Sequence, residues 1–327
     1  MKVSIGNCIG AIALACILPA TLSTTATAQS ITTTFTSNNG GGTGWGNFFD
    51  ITVLGKSLHI TKLDVNISGS VNTNVTIDVY ITSKTYVGND TNGAKWMKVA
   101  TGVGKSLGTD KKTPVDISDF VLAPGSYGMA VYYTGAGMRY TNGTATNNKY
   151  KNKDVALSLG ISRSSLWGGS KFSPRIWNGT IYYDTTNAAF YGTYGKGCKG
   201  SGGFPTMTPT KASQLKLGTP FIVDITNLPK SGVVVMMTGF RNNSFAGLPV
   251  LALDLKSLGA PGCRLMMEPF DFKALTNTAG KAKYITGIPN NKSFLGIALF
   301  HQVLVFDKTA NQAGLTLSNA GGGVLGN

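Results

Sequence analysis

The reactive side chains are scarce: two histidines, four cysteines and a single glutamate, Glu268, in 327 residues. His59 and His301 fall in opposite halves, with no second histidine or free cysteine beside either, so the spacing of a zinc site is missing. His301 sits in an apolar strand pattern, and no Gly-x-Ser-x-Gly elbow marks a nucleophile. A Ser-His-Asp triad is defined by geometry and leaves no further trace in this sequence. Glycoside hydrolysis requires two carboxyl groups across a cleft. Glu268 precedes Pro269 in a turn, and Asp116 and Asp119 read as ordinary loop residues. Only aspartates assembled from distant strands would keep a glycosidase alternative open. The expectation is a protein without catalytic residues, not an enzyme.

Two polar clusters offer oxygen ligands: Asn147, Asn148, Asn152 and Asp154, and the run Asn89, Asp90, Thr91, Asn92. Extracellular calcium modules use such residues, but neither cluster has the spacing of an EF-hand, and the same side chains make Asx-turns. No cofactor is expected, with calcium as the alternative. Sugar recognition needs aromatic faces to pack on C–H groups and amide or guanidinium groups to bond hydroxyls. Trp45, Tyr140, Tyr150, Trp167 and Trp177 all lie close to Gly and Asn turns. The candidate ligand site is Arg139, Tyr140, Asn142, Trp167, Arg175 and Trp177. It requires Arg175 and one of Trp177 or Tyr182 to face outward; the competing reading puts these aromatics in the core.

The elements that would position them are strands. Residues 75–81 alternate apolar and polar with period two, and 47–54, 58–68, 96–103, 115–122, 125–134, 138–141, 155–162 and 176–183 follow between Gly, Asn, Asp and Pro turns. Within 172–184, Pro174 forbids helix and the Asn178-Gly179 dipeptide suggests a short hairpin or bulged strand. After 185–189 the composition shifts to a Gly-rich stretch, taken as the opening of a second domain. Further strands are expected at 221–228, 233–240, 263–268, 272–275, 283–287, 295–306 and 315–318, and the Gly-rich run Gly321-Gly322-Gly323 after them shows no recognised anchor or sorting signal. Many short strands argue for all-β architecture: two consecutive β-sandwich, jelly-roll-like domains, 29–187 and 188–327.

Residues 1–28 have the form of a secretory signal peptide: Lys2, an apolar run over 9–18, and Ala26-Thr27-Ala28 before Gln29. A lipoprotein box ending at Cys16 is the rival reading. No later apolar run reaches the ~20 residues of a membrane helix. Removal of the leader takes Cys8 and Cys16 with it, and the remaining pair, Cys198 and Cys263, reads as one disulfide in an exported chain. The net charge is +15, mostly scattered lysine over both halves. This suits a solvated surface and permits attraction to anionic polymers. No helix-turn-helix, zinc-finger or RNP pattern points to specific nucleic-acid binding.

Residues 89–96 (NDTNGAKW), 139–144 (RYTNGT) and 172–183 (FSPRIWNGTIYY) resemble a sandwich domain of exported bacterial proteins of uncharacterised function. The second half is similar to a C-terminal domain of the same kind of protein through 195–198 (GKGC), 259–263 (GAPGC), 288–291 (IPNN) and 300–307 (FHQVLVFD), with Asn311, Gly314, Ser318 and Asn319. The resemblance implies secretion, a Cys198–Cys263 bridge and a β fold, and brings no activity with it. The resulting expectation is a secreted or cell-surface protein that binds glycan or an anionic surface polymer. A self-associating structural protein is the alternative.

Overall fold

The computed structural model describes residues 29–144, 146–185, 187–211, 213–246 and 251–327; the leader assigned to 1–28 lies outside them. The fold is all-β, with antiparallel sheets packed in sandwich fashion, and only three single-turn 3-10 helices among the described residues. Where apolar and polar residues alternate, strands form as the pattern dictates. Asn74–Ser83 buries Val75, Ile77, Val79 and Ile81 on one side while the residues between them stay partly exposed.

Eleven of the strands between residues 29 and 184 make one large sheet. Its order is Gln29–Thr32, Gly179–Asp184, Leu58–Val65, Thr113–Leu122, Met97–Lys105, Asn74–Ser83, Gly125–Thr134, Gly46–Val53, Val155–Ser165 and Lys149–Lys151, with Gly168–Phe172 also on Val155–Ser165. The sheet folds over until its two ends approach. There Asn152 Nδ2 donates to the Tyr183 hydroxyl at 2.7 Å and to Ser30 O at 3.2 Å. One apolar core fills the inside.

The stretch 172–184 is not a hairpin. Arg175–Trp177 pairs with Arg139–Asn142 in a small separate sheet, whereas Gly179–Asp184 pairs with Leu58–Val65 in the large one. Asn178 is the corner between them, fully buried, its amide donating to Thr141 Oγ1 and Ile176 O. The bulge falls later, between Tyr182 and Tyr183.

From Phe190 onward a five-stranded sheet runs Phe190–Tyr194, Leu315–Val324, Ala298–Phe306, Val234–Gly239, Asp271–Leu275. It faces a three-stranded sheet of Thr206–Pro209, Pro220–Thr226 and Ala282–Gly287 across a core containing Phe221, Val223, Met236 and Val303. The strand expected at 315–318 runs on through the glycine-rich tail to Val324. Gly321, Gly322 and Gly323 belong to the Leu315–Val324 strand and pair on both sides. A side chain at Gly321 would run into the Tyr191 hydroxyl, so glycine is what lets the neighbour lie so close.

The halves share apolar contacts. One cluster joins Val121 and Ala123 to Cys198, Cys263, Phe300 and Val324. The His59 ring stacks on Phe190 at 3.9 Å between centroids, with Nε2 held 2.8 Å from Asp119 Oδ2. Among the described residues, no helix is long and apolar enough to cross a membrane.

His301 is sealed in the second core, where the rings of Tyr191, Phe221 and Tyr284 face it at 5.5, 5.4 and 5.7 Å and Nδ1 has no partner. Burial pulls its pKa down to about 3, against an ordinary 6.5. A histidine depressed in the folded state contributes stability that is complete above the unfolded pKa and is lost as pH falls from there towards the folded value. Between pH 7 and pH 5 the native protein is therefore expected to lose about 2 kcal/mol of unfolding free energy relative to a His301→Phe variant. Urea denaturation of both proteins at the two pH values checks this; parallel pH dependences would contradict it.

Candidate ligand-binding cleft

Five of the six residues expected to bind ligand are brought together by strand pairing. Arg139, Tyr140 and Asn142 share one strand, and the next places Arg175 opposite Asn142 and Trp177 opposite Tyr140. Their side chains then diverge. Trp177 is 1% exposed and Tyr140 2%, so neither offers a face to a sugar; this corrects the expected platform. The Trp177 ring stacks on Phe49 at 5.2 Å, and its Nε1 donates to the Tyr133 hydroxyl. Arg139, Asn142 and Arg175 are outside the core. Arg139 Nε donates to Ser37 Oγ, Asn142 Oδ1 accepts from Asn39, and the Arg175 guanidinium lies over the rings of Tyr140 and Phe172. Trp167 lies elsewhere, partly buried in a nest with Phe48, Tyr80 and Trp96.

The polar clusters are similarly occupied. Asn152 Oδ1 accepts the backbone N–H groups of Asp154 and Val155, and Asn147 Oδ1 accepts that of Thr144. Asp90 is bonded by Arg163 through Nε at 2.8 Å and Nη2 at 2.6 Å. Glu268 accepts from Ser244 Oγ and Ala246 N. Among the described residues, no three His, Cys, Asp or Glu side chains converge as a metal site.

One concave feature with convergent polar groups lies at the seam between the halves; smaller ones lie around Arg241 and Asn243, around Asn89 and Asp254, and around Asp224 and Lys283. The volume of the seam cleft, about 850 Å³, falls within the ~300–1,000 Å³ of small-ligand sites. The first half supplies one wall through Trp96 and the Met97–Lys105 strand, with Thr101 and Ser118 as hydroxyls. The second half supplies the other through Thr193 and Tyr194, the turn 195–199, Phe204, and residues 261–266 around Arg264.

Local sequence shapes this second wall. Gly195 takes φ +69° where the chain leaves the Phe190–Tyr194 strand, a conformation that glycine adopts without cost, and a side chain there would strike Met266. Cys198 is bonded to Cys263 with a Cα–Cα distance of 4.8 Å. The backbone N–H of Cys198 donates to Leu317 O, and Leu317 N donates to its Sγ. Each half-cystine is followed by a basic residue, Lys199 and Arg264, and the bridge thereby sets both on the cleft.

Four basic side chains line the cleft and no carboxylate does. Lys98 is paired with Asp78 at 2.5 Å. Lys196 lies 4.3 Å from the ring centroid of Phe204, a residue 39% exposed. Arg264 Nη1 donates to Trp96 O at 3.2 Å. No carboxylate stands within 4.0 Å of the charged atoms of Lys196, Lys199 or Arg264 among the described residues. The Tyr194 hydroxyl donates to Met266 O, and burial pushes its pKa up, keeping it a neutral donor. No family model and no curated protein sequence matches the chain.

The cleft's chemistry therefore rests on these residues alone: an aromatic face, four hydroxyl-bearing side chains on its walls and a local excess of cations. Sequence reasoning missed it because its walls come from distant segments. The available signal was the pair Cys198-Lys199 and Cys263-Arg264.

Proposed function

We propose that this is a non-catalytic protein of the exported or cell-surface class, and that it binds glycan or another extracellular polymer in the seam cleft. The observation that carries this reading is the exposed Phe204 ring beside Thr101, Ser118 and Thr193 in one concavity. An apolar face with flanking hydroxyls suits a sugar ring, which is C–H on one side and O–H at its rim. The Cys198–Cys263 bridge supports an oxidising compartment, as do the leader-like form of 1–28 and the resemblance to exported sandwich proteins. The histidines favour a non-catalytic role: His301 is enclosed and His59 is stacked between the halves.

Affinity electrophoresis through gels containing soluble polysaccharides tests the reading. Retention is expected, and Phe204→Ala should weaken it several-fold, up to about tenfold, from the lost ring contact, with an unchanged melting temperature. Full retention by Phe204→Ala would remove the cleft from the reading.

A second reading, self-association, is favoured by one surface. Asp271–Leu275 ends the five-stranded sheet; Phe272 within it and Phe270 just before it are 60% and 75% exposed. Such an edge is a template for pairing with another chain. Concentration-dependent assembly without retention in any polysaccharide gel would favour this alternative.

A further inference from the structure

We infer that the seam cleft selects acidic glycans: chains of sugar rings carrying carboxylate or sulfate, held by Lys196, Lys199 and Arg264 while one ring lies on Phe204. This rests on the proposal that the cleft binds glycan, and deepens it. Two features of the cleft carry the step.

The first is the charge inventory. In a protein of net charge +15, a basic surface residue by itself says little. Among the described residues only Lys62, Lys98 and Lys283 of the lysines have a carboxylate within 4.0 Å, so what marks the cleft is the grouping of its cations and not the lack of a partner for each. Lys196, Lys199 and Arg264 converge on one concavity that no acidic side chain lines. The nearby Asp307 carboxylate is taken up instead by donors from Ser201 and Thr309. Like charges held together in a cleft without counter-ions repel one another, and an anion relieves that repulsion.

The second is the placement of Lys196 over the Phe204 ring. The ammonium covers one face of the Phe204 ring, so a ligand with an anion beside a flat C–H surface meets the cation there and the ring over its remaining exposed area. A simple anion would use the lysine and leave the ring idle. A neutral sugar would use the ring and leave three cations unsatisfied. The guanidinium of Arg264, fixed at one end by Trp96 O, is a planar donor suited to a carboxylate or sulfate.

The test measures binding of the full-length mature chain to four polymers: polygalacturonate, dextran sulfate, neutral dextran and inorganic polyphosphate, each at low and physiological salt. The proteins are the wild type, the Lys196→Ala/Lys199→Ala double variant, Phe204→Ala, and a Lys149→Ala/Lys151→Ala double variant. The last removes the same charge from an exposed strand away from the cleft. All four proteins are first matched by thermal midpoint. Polygalacturonate, dextran sulfate or both are expected to bind at least tenfold more tightly than neutral dextran. The cleft double variant should lose about tenfold and show a weaker salt dependence, and the control should lose less than twofold.

Equal losses in the cleft and control variants would reduce the effect to general surface charge and overturn the inference. Neutral dextran bound as tightly as the acidic polymers, with sensitivity to Phe204→Ala, would overturn the acidic preference and leave glycan binding standing. Polyphosphate bound as tightly as the acidic glycans, without sensitivity to Phe204→Ala, would overturn the sugar component. No binding to any of the four would sink both the inference and the reading beneath it.

Discussion

Replacing Trp177 by alanine is expected to cost about 3–5 kcal/mol of folding stability, the largest single-residue loss predicted for the first half. The indole is 1% exposed and stacks on Phe49 with an interplanar angle of 18°. Gly179 lies against its six-membered ring, leaving no room for a replacement to settle elsewhere. Truncation also strips the Tyr133 hydroxyl, fully buried and kept neutral by that burial, of the N–H that donates to it at 2.8 Å. An unpaired buried hydroxyl adds to the cavity cost. Trp177→Phe keeps a stacked ring and loses the N–H, so its cost should be smaller, about 1–2 kcal/mol. Urea denaturation measures both. Because no ligand reaches the ring, the dissociation constant of the folded fraction should not change. A variant with unaltered midpoint and weakened glycan binding would put Trp177 at a ligand surface and contradict this account.

The same residue shows why strands were legible in the sequence and the site was not. Period-two alternation reports which residues share a face of a strand, and Asn74–Ser83 follows it from Val75 to Ile81, while Gly125–Thr134 is buried on both faces over 127–131. Nothing in the local sequence reports which face of a corner points to water. Arg175-Ile176-Trp177-Asn178-Gly179 reads equally well as a ligand platform or a core plug. The choice was made by pairing with Arg139–Asn142 and by Phe49 from another strand.

Two other departures have similar causes. The strand expected at 263–268 shrinks to Arg264–Leu265 because the Cys263 carbonyl accepts from Leu255 N and Met266 N donates to the Gln302 side chain. The terminal glycines carry no strand propensity of their own and are made a strand by the neighbours on either side. The cleft was the least legible feature of all, because Trp96, Lys196 and Arg264 become neighbours only when the halves pack.

That dependence makes removal of the Cys198–Cys263 bridge the second large expected effect. The bond spans 65 residues of sequence, and in the loop-entropy model opening it returns about 4 kcal/mol of freedom to the unfolded chain. A Cys198→Ala/Cys263→Ala variant should therefore unfold at a much lower urea midpoint. A functional consequence is expected as well. Cys198 anchors the turn bearing Lys196 and Lys199, and Cys263 anchors Arg264, so one covalent link fixes the spacing of the cations across the cleft wall. At temperatures where the variant remains folded, acidic-glycan affinity should fall by about as much as in Lys196→Ala/Lys199→Ala, though every basic residue is still present. A general surface charge effect would leave the affinity of the folded variant untouched, since the net charge is the same. Thiol titration of the native wild-type protein beginning at Gln29 should find neither Cys198 nor Cys263 reactive, both being buried and bonded. Two titratable thiols, or a variant as stable and as tightly binding as the wild type, would remove the bridge from both roles.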